Sequence, residues 1–186
     1  ELYRLIRTDS LIVAVGQTTF LSRNFGLSWS ESTDPAWDGY PIALEQHGIN
    51  KNFLCFGGTN LQSAPKYGHS IDTGRTWRNT HVYGPGLQVG RVTAIGLADP
   101  FPNRVFVAVG ERLLCTLDSA ATWPEIHSFP GSMIRTIASV RDTLYVGGAA
   151  LSISPNVGKD WYVMDAPFPF PSEIRHILKN DKDDML

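Results

Sequence analysis

The chain has little charge, little cysteine and no long apolar run. Of its 186 residues, 16 are Lys or Arg and 18 are Asp or Glu, which leaves a net charge of −2 and a charged fraction of 18%. So even a balance provides no electrostatic footprint for a polyanion, and no nucleic-acid partner is expected. No apolar stretch reaches bilayer-spanning length and no leader-type segment opens the chain, so no membrane partner is expected and no compartment is assigned. The chain opens on Glu1, as a processed or truncated product would. The only two cysteines, Cys55 and Cys115, occupy different settings and read as two buried free thiols, not as a disulfide framework. No Cys/His spacing suits zinc, and neither a nucleophile elbow nor a phosphate loop is present. His47, His69, His81, His127 and His176 form no motif. No cofactor and no metal are expected.

What the chain does have is glycine, 17 residues, proline, 12, and a repeated octad. The copies are Ser22–Trp29, Ser70–Trp77, Thr116–Trp123 and Ser154–Trp161. Their shared frame is Ser/Thr, any, Asp/Asn, any, Gly, any, Ser/Thr, Trp. Self-similarity at roughly 40 to 50 residues marks a propeller or an array, and Gly/Pro-punctuated short apolar runs mark strands and turns.

Each octad reads as a tight turn between two strands. Asn24, Asp72, Asp118 and Asn156 can accept hydrogen bonds from backbone amides just downstream. Gly26, Gly74 and Gly158 permit positive φ. Trp29, Trp77, Trp123 and Trp161 are expected to pack beneath the turn. Two copies depart from the frame. Ala120 stands at the glycine position, so that turn must avoid positive φ or accept strain. Asp160 stands where a hydroxyl is expected. Both copies read as degraded. A motif repeated this often is structural, not catalytic.

Before each octad runs a short strand ending at glycine: Leu11–Gly16, Phe53–Gly58, Val105–Gly110 and Leu144–Gly148. Another strand precedes each of these, over Leu2–Arg7, within Ile42–Ile49, over Val92–Leu97 and over Ile134–Val140. With one strand into the octad and one out, each unit has four antiparallel strands, which is a propeller blade. The fold expected is therefore all-β, a β-propeller of about four blades spanning 1–36, 37–85, 86–130 and 131–167. A partial fifth, 168–186, starts with Glu173–Leu178. The whole is one propeller domain or part of one. The loops carrying Trp37, Tyr40 and Tyr83 either cover the core or offer a binding surface.

The octad resembles the Asp-box, or BNR, repeat. That family includes sialidases, other glycoside hydrolases, sortilin-type receptor domains and photosystem II stability/assembly factors. The resemblance implies a propeller, but it implies no single activity, because the box serves enzymes and non-enzymes alike. In a sialidase-like enzyme, three arginines hold a carboxylate beside a Tyr/Glu pair and an acidic Asp. Arg4, Arg135 and Arg175 fall at one equivalent position of three first strands, which in a propeller line the central axis; there they would either form a cationic funnel or, as residues inherited by duplication, each pair with a neighbouring carboxylate or carbonyl. Thr93 takes that position in the third unit. The Arg-Ile-Pro signature of those enzymes is missing, and Glu45, Glu111, Glu125 and Glu173 are scattered among different units. The reading is thus a non-catalytic structural or assembly scaffold whose partner is a protein or another copy of the chain. It would be part of a larger particle, such as a virion, or akin to a photosystem II factor. The alternative is a fragment of a sialidase-like hydrolase with a glycan at the arginines.

Overall fold

The computed structural model describes residues 2–7, 11–16, 19–32, 40–46, 54–59, 64–87, 90–98, 101, 103–164 and 173–178. These residues form β-strands, turns and no helix. The chain divides into two compact units, Glu1–Val92 and Thr93–Leu186.

The first unit holds two four-stranded sheets. One is β1 (Leu2–Arg7), β2 (Ile12–Gly16), β3 (Thr19–Ser22) and β4 (Ser30–Glu31); the other is β5 (Tyr40–Gln46), β6 (Leu54–Thr59), β7 (Lys66–Ser70) and β8 (Arg78–His81). The second unit also holds two. The third sheet is β9 (Val92–Leu97), β10 (Val105–Val109), β11 (Arg112–Thr116) and β12 (Glu125–Ser128); the fourth is β13 (Thr136–Val140), β14 (Thr143–Gly147), β15 (Leu151–Ser154) and β16 (Tyr162–Met164). Strands follow chain order in every sheet, and neighbours pair antiparallel.

Register makes the sheets comparable. Val13 pairs with Leu21, Cys55 with His69, Phe106 with Cys115 and Tyr145 with Ile153. Each pair lies in one row, because side chains alternate faces along a strand. Every residue of β10 is buried, as its unbroken apolar run suggests. In the first unit Leu11, Val13, Leu21 and Trp77 form a core, so the tryptophan of the second sheet packs on the first. In the second unit Phe106, Leu113, Ile134, Leu144 and Val146 join one core, with Trp161 against it. Each such side chain contributes roughly 1.5–3 kcal/mol by leaving water. Gly96 lets β9 and β13 approach: a Cβ there would sit 2.5 Å from Ile137 Cγ2. Ser139 Oγ, on β13, donates to Leu97 O at 2.7 Å across the same approach.

β1 and β9 occupy the ranges expected from sequence. β13 starts two residues later than expected, because the Ile134 and Arg135 amides donate to Gly110 O and Gly147 O at 2.8 Å before the ladder begins. The strand expected over Glu173–Leu178 is not formed. Its first contact is present all the same: Ile174 N donates to Gly148 O at 2.7 Å, as Ile134 N does to Gly110 O one repeat earlier. Cys55 and Cys115 are buried and free. Burial pushes the Cys55 thiol well up and the Cys115 thiol to about 11, so neither supplies thiolate at neutral pH.

Candidate functional site

The four octads fold the same way, each between the last two strands of its sheet. The first-position hydroxyl accepts from the fifth-position amide: Gly26 N to Ser22 Oγ, Gly74 N to Ser70 Oγ and Gly158 N to Ser154 Oγ at 2.7 Å, and Ala120 N to Thr116 Oγ1 at 3.0 Å. That hydroxyl then donates to the third-position oxygen at 2.8–3.2 Å. The same oxygen accepts the seventh-position amide at 2.8–2.9 Å. Three of the indoles donate to the fifth-position carbonyl: Trp29 to Gly26, Trp77 to Gly74 and Trp161 to Gly158, at 3.0–3.1 Å.

One expectation is resolved and one is corrected. Of the two outcomes open to Ala120, the turn accepts positive φ, at +71°. The residue before it is also left-handed in every copy: Phe25, Thr73, Ser119 and Val157 lie at φ between +57° and +59°. Nothing in the sequence signals this, since that position is open to any residue. The fourth octad is not degraded. Asp72 and Asp118 accept from the Thr76 and Thr122 hydroxyls at 2.7 and 2.6 Å. Asn24 and Asn156 reverse the bond, donating Nδ2 to Ser28 Oγ at 2.8 Å and to Asp160 Oδ2 at 2.6 Å. A carboxylate at the third position takes a hydroxyl donor at the seventh, whereas an amide takes an acceptor there. Asp160 is the complement of Asn156.

Electrostatics follow. Partial burial would raise the Asp72 carboxyl, but the Thr76 amide and hydroxyl, the Ser70 hydroxyl and the Arg75 amide hold it below the usual range. Asp118 is exposed, and the Thr122 hydroxyl and amide and the Thr116 hydroxyl bring it to about 2. The indoles differ in burial. Trp77 and Trp123 are 5% and 4% exposed and Trp161 is half-buried, but Trp29 is 44% exposed and does not pack as expected.

Arg135 and Arg175 meet at one carboxylate. Arg135 Nη2 lies 3.1 Å from Glu173 Oε1 and Arg175 Nη2 lies 3.3 Å from Oε2. The hydrogen bond from Arg135 is the main cause of the low Glu173 carboxyl, and both positive charges assist. Arg135 sits just before β13, and Arg175 lies outside any strand. Arg4 is on β1 opposite Val15, with its side chain outside the described residues. Trp37 also lies outside them, as do the side chain of Tyr40 and residues 165–172. Tyr83 is 66% exposed and its ring lies tilted against His81 at 5.4 Å, so it does not cover the core. Sequence reasoning allowed the arginines a neighbouring carboxylate but did not single out Glu173, which lies two residues before Arg175.

A cleft of about 300 Å³ opens between the third and fourth sheets, lined among others by His127, Phe129, Ser132, Val146, Ala149 and Val163. The small-residue run Gly147–Ala150 is its sequence signal. A Cβ on Gly148 would lie 2.7 Å from Met133 O, so glycine lets two backbones approach beside the cleft. Ser132 Oγ holds the Ala149 amide at 3.0 Å. His127 stacks on Trp161 at 4.9 Å and meets the edge of Phe129 at 4.6 Å. Burial lowers its pKa, against the raising effect of Glu125. The wall is therefore largely apolar, with three serines, Ser128, Ser132 and Ser152, among its lining residues.

No protein-family model and no curated protein matches the chain. Solved structures do. YCF48 from Cyanidioschyzon merolae aligns at 12% identity and TM-score 0.71, over 97% of this chain and 64% of that one. YCF48 bound to D1 peptide aligns at 14% and 0.58, over 78% and 46%. AFV00434, an ancestral GH74 enzyme, aligns at 14% and 0.66, over 90% and 24%. The fold is that of a β-propeller. Its four antiparallel sheets are the blades, and the chain spans between about a quarter and two thirds of the length of these neighbours.

Proposed function

We propose that the chain is a non-catalytic propeller scaffold of the Asp-box type that binds protein partners and serves assembly. The observation that carries this reading is the Arg135–Glu173–Arg175 cluster. Its two guanidiniums already share one carboxylate within the chain, so each is engaged by an internal partner that an anionic substrate would have to displace. The cleft lined by Ile134 and its neighbours is mainly apolar with serine hydroxyls among its lining, a chemistry suited to an apolar side chain on an extended peptide. A propeller neighbour bound to a peptide supports the same reading. Display of random peptides on phage tests it. Enriched peptides should carry an aliphatic or aromatic anchor and lose affinity about tenfold or more on Ala149→Phe, which fills the cleft. Failure to enrich any peptide would contradict the reading.

A second reading, an anionic glycan held by arginines in a glycoside hydrolase, is favoured by one feature. Arg135 Nε is buried with no hydrogen-bond partner, so one donor of the guanidinium is uncommitted. A panel of aryl glycosides decides: turnover that disappears on Arg135→Ala would replace the scaffold reading with this one.

A further inference from the structure

The cleft between the third and fourth sheets opens over one row of the fourth. There Val146 pairs with Ser152 and Ser152 with Val163, so the three lie on one face. The equivalent rows are Ala14, Phe20 and Glu31 on the first sheet, Phe56, Gly68 and Asn79 on the second, and Val107, Leu114 and Glu125 on the third. Each of those rows holds a Phe or a Leu and ends in a polar residue. The fourth row holds neither, has a hydroxyl at its centre and ends in valine. Serine here, in place of a side chain as large as the fully buried Leu114 of the third sheet, leaves the space that the cleft occupies.

Ser152 is 5% exposed and lines the cleft. The other described buried serines, Ser22, Ser32, Ser70, Ser139 and Ser154, all use their hydroxyls in hydrogen bonds. The Ser152 hydroxyl has no hydrogen-bond partner among the described residues. Such a group can both donate and accept, and an apolar ligand that strips its water leaves it unsatisfied. The opposite wall is held in place. His127 touches Trp161 on one side and Phe129 on the other. Ser132 N donates to Phe129 O at 2.9 Å across a turn in which Gly131 has φ +76°, and Gly131 N donates to Glu111 Oε2 at 2.9 Å. The described lining residues include no Asp, Glu, Lys or Arg. Burial lowers the His127 pKa, so that side chain is neutral at pH 7 as well. The cleft thus offers apolar walls, a buried unpaired hydroxyl and no charge.

We propose that the cleft selects tyrosine as the anchor of the peptide it binds, with the ring against Phe129, Val146 and Val163 and the phenol hydroxyl paired with Ser152 Oγ. Tyrosine has the apolar body that the walls require and a polar tip that both donates and accepts, as the serine does. Phenylalanine fits the same walls but leaves the serine hydroxyl unsatisfied. A site built to pair a hydroxyl discriminates against the analogue that lacks it. Phosphotyrosine brings negative charge into a lining that holds no cation. Ser152 is then the residue that sets specificity. The inference rests on the peptide-binding reading above and deepens it by naming the anchor.

NMR titration of the isotope-labelled 186-residue chain tests it. The probes are three blocked pentapeptides with two glycines on either side of tyrosine, phenylalanine or phosphotyrosine. The tyrosine peptide should shift the resonances of Val146, Ser152 and Val163 and bind about tenfold more tightly than the phenylalanine peptide. The phosphotyrosine peptide should leave those resonances unmoved. Ser152→Ala should retain the dispersed spectrum of the folded chain and bring the tyrosine and phenylalanine affinities within about twofold of each other. Ser152→Leu, which installs the side chain of the register-equivalent Leu114, should abolish binding of both. If neither variant folds, the wild-type comparison of the three peptides still decides. Equal affinity for phenylalanine, a tyrosine preference that persists in folded Ser152→Ala, or phosphotyrosine bound as tightly as tyrosine would each overturn the tyrosine assignment and leave the apolar-anchor reading standing. A tyrosine peptide that shifts nothing in the cleft overturns the assignment too. Phage-selected peptides with aliphatic anchors that do shift the cleft then keep the broader reading, and failure to enrich any peptide removes it as well.

Discussion

The second octad and the first share the bonds that cap the turn and anchor the indole, and have opposite surroundings. Ser70, Asp72, Thr76 and Trp77 reproduce the bonds of Ser22, Asn24, Ser28 and Trp29 to within a few tenths of an ångström. Yet Trp77 is 5% exposed, packed on Leu11, Val13 and Leu21, and Trp29 is 44% exposed. The turn is thus a local device that closes by itself. Its energetic weight comes from what lies under the indole. Trp77→Ala should therefore cost about 3–5 kcal/mol and Trp29→Ala about 1 kcal/mol or less, read from urea unfolding. Equal losses would erase the distinction.

The next contrast separates the amide octads from one another. Asn156→Asp sets a carboxylate against Asp160, replacing the 2.6 Å bond with like-charge repulsion, and should cost about 1–2 kcal/mol. Asn24→Asp faces Ser28, whose hydroxyl can turn and donate, and should cost about 0.5 kcal/mol or less. Losses in the opposite order would refute the complementarity of the third and seventh positions.

The carboxylate octads add a dependence on pH that the amide octads lack. Asp72 and Asp118 have carboxyls held below their unfolded value of 3.8, Asp118 at about 2. Because the folded pKa is the lower one, the stabilisation is fully present above pH 3.8 and disappears as pH falls toward 2. Asp72→Asn with Asp118→Asn should flatten that acid limb of a thermal-melt profile. An unchanged limb would assign acid unfolding to other carboxylates. The smallest effect concerns Arg135→Ala, which removes an ion pair to an exposed Glu173. Its cost in unfolding free energy should stay below about 1 kcal/mol.

Much of the fold was legible because it is periodic. The octads and the glycine-ended apolar runs placed β1 and β9 at their observed ranges, and unbroken apolar runs such as Val105–Val109 gave the strands buried on both faces. What the octad frame could not convey was bonding direction. Asp160 looked like damage, because a pattern of residue types does not say whether a side chain donates or accepts. Nor could it show that Phe25, Thr73, Ser119 and Val157 are left-handed, since that strain is imposed by the hydrogen bonds on either side. The candidate site was less legible. Arg135 and Arg175 were readable as a repeated position, but the carboxylate between them depends on residues 38 apart coming together. The cleft depends on two sheets packing, of which only the run Gly147–Ala150 leaves a trace in sequence.

The central claim is that one hydrogen-bonded turn recurs four times as the corner of each blade. Amide hydrogen exchange followed by NMR addresses it residue by residue. The amides of Gly26, Gly74, Ala120 and Gly158, all bound to a Ser or Thr hydroxyl, should exchange far more slowly than those of exposed turn residues such as Arg23 and Ser119. Fast exchange at these four positions, at the rate of the open turns, would contradict the account.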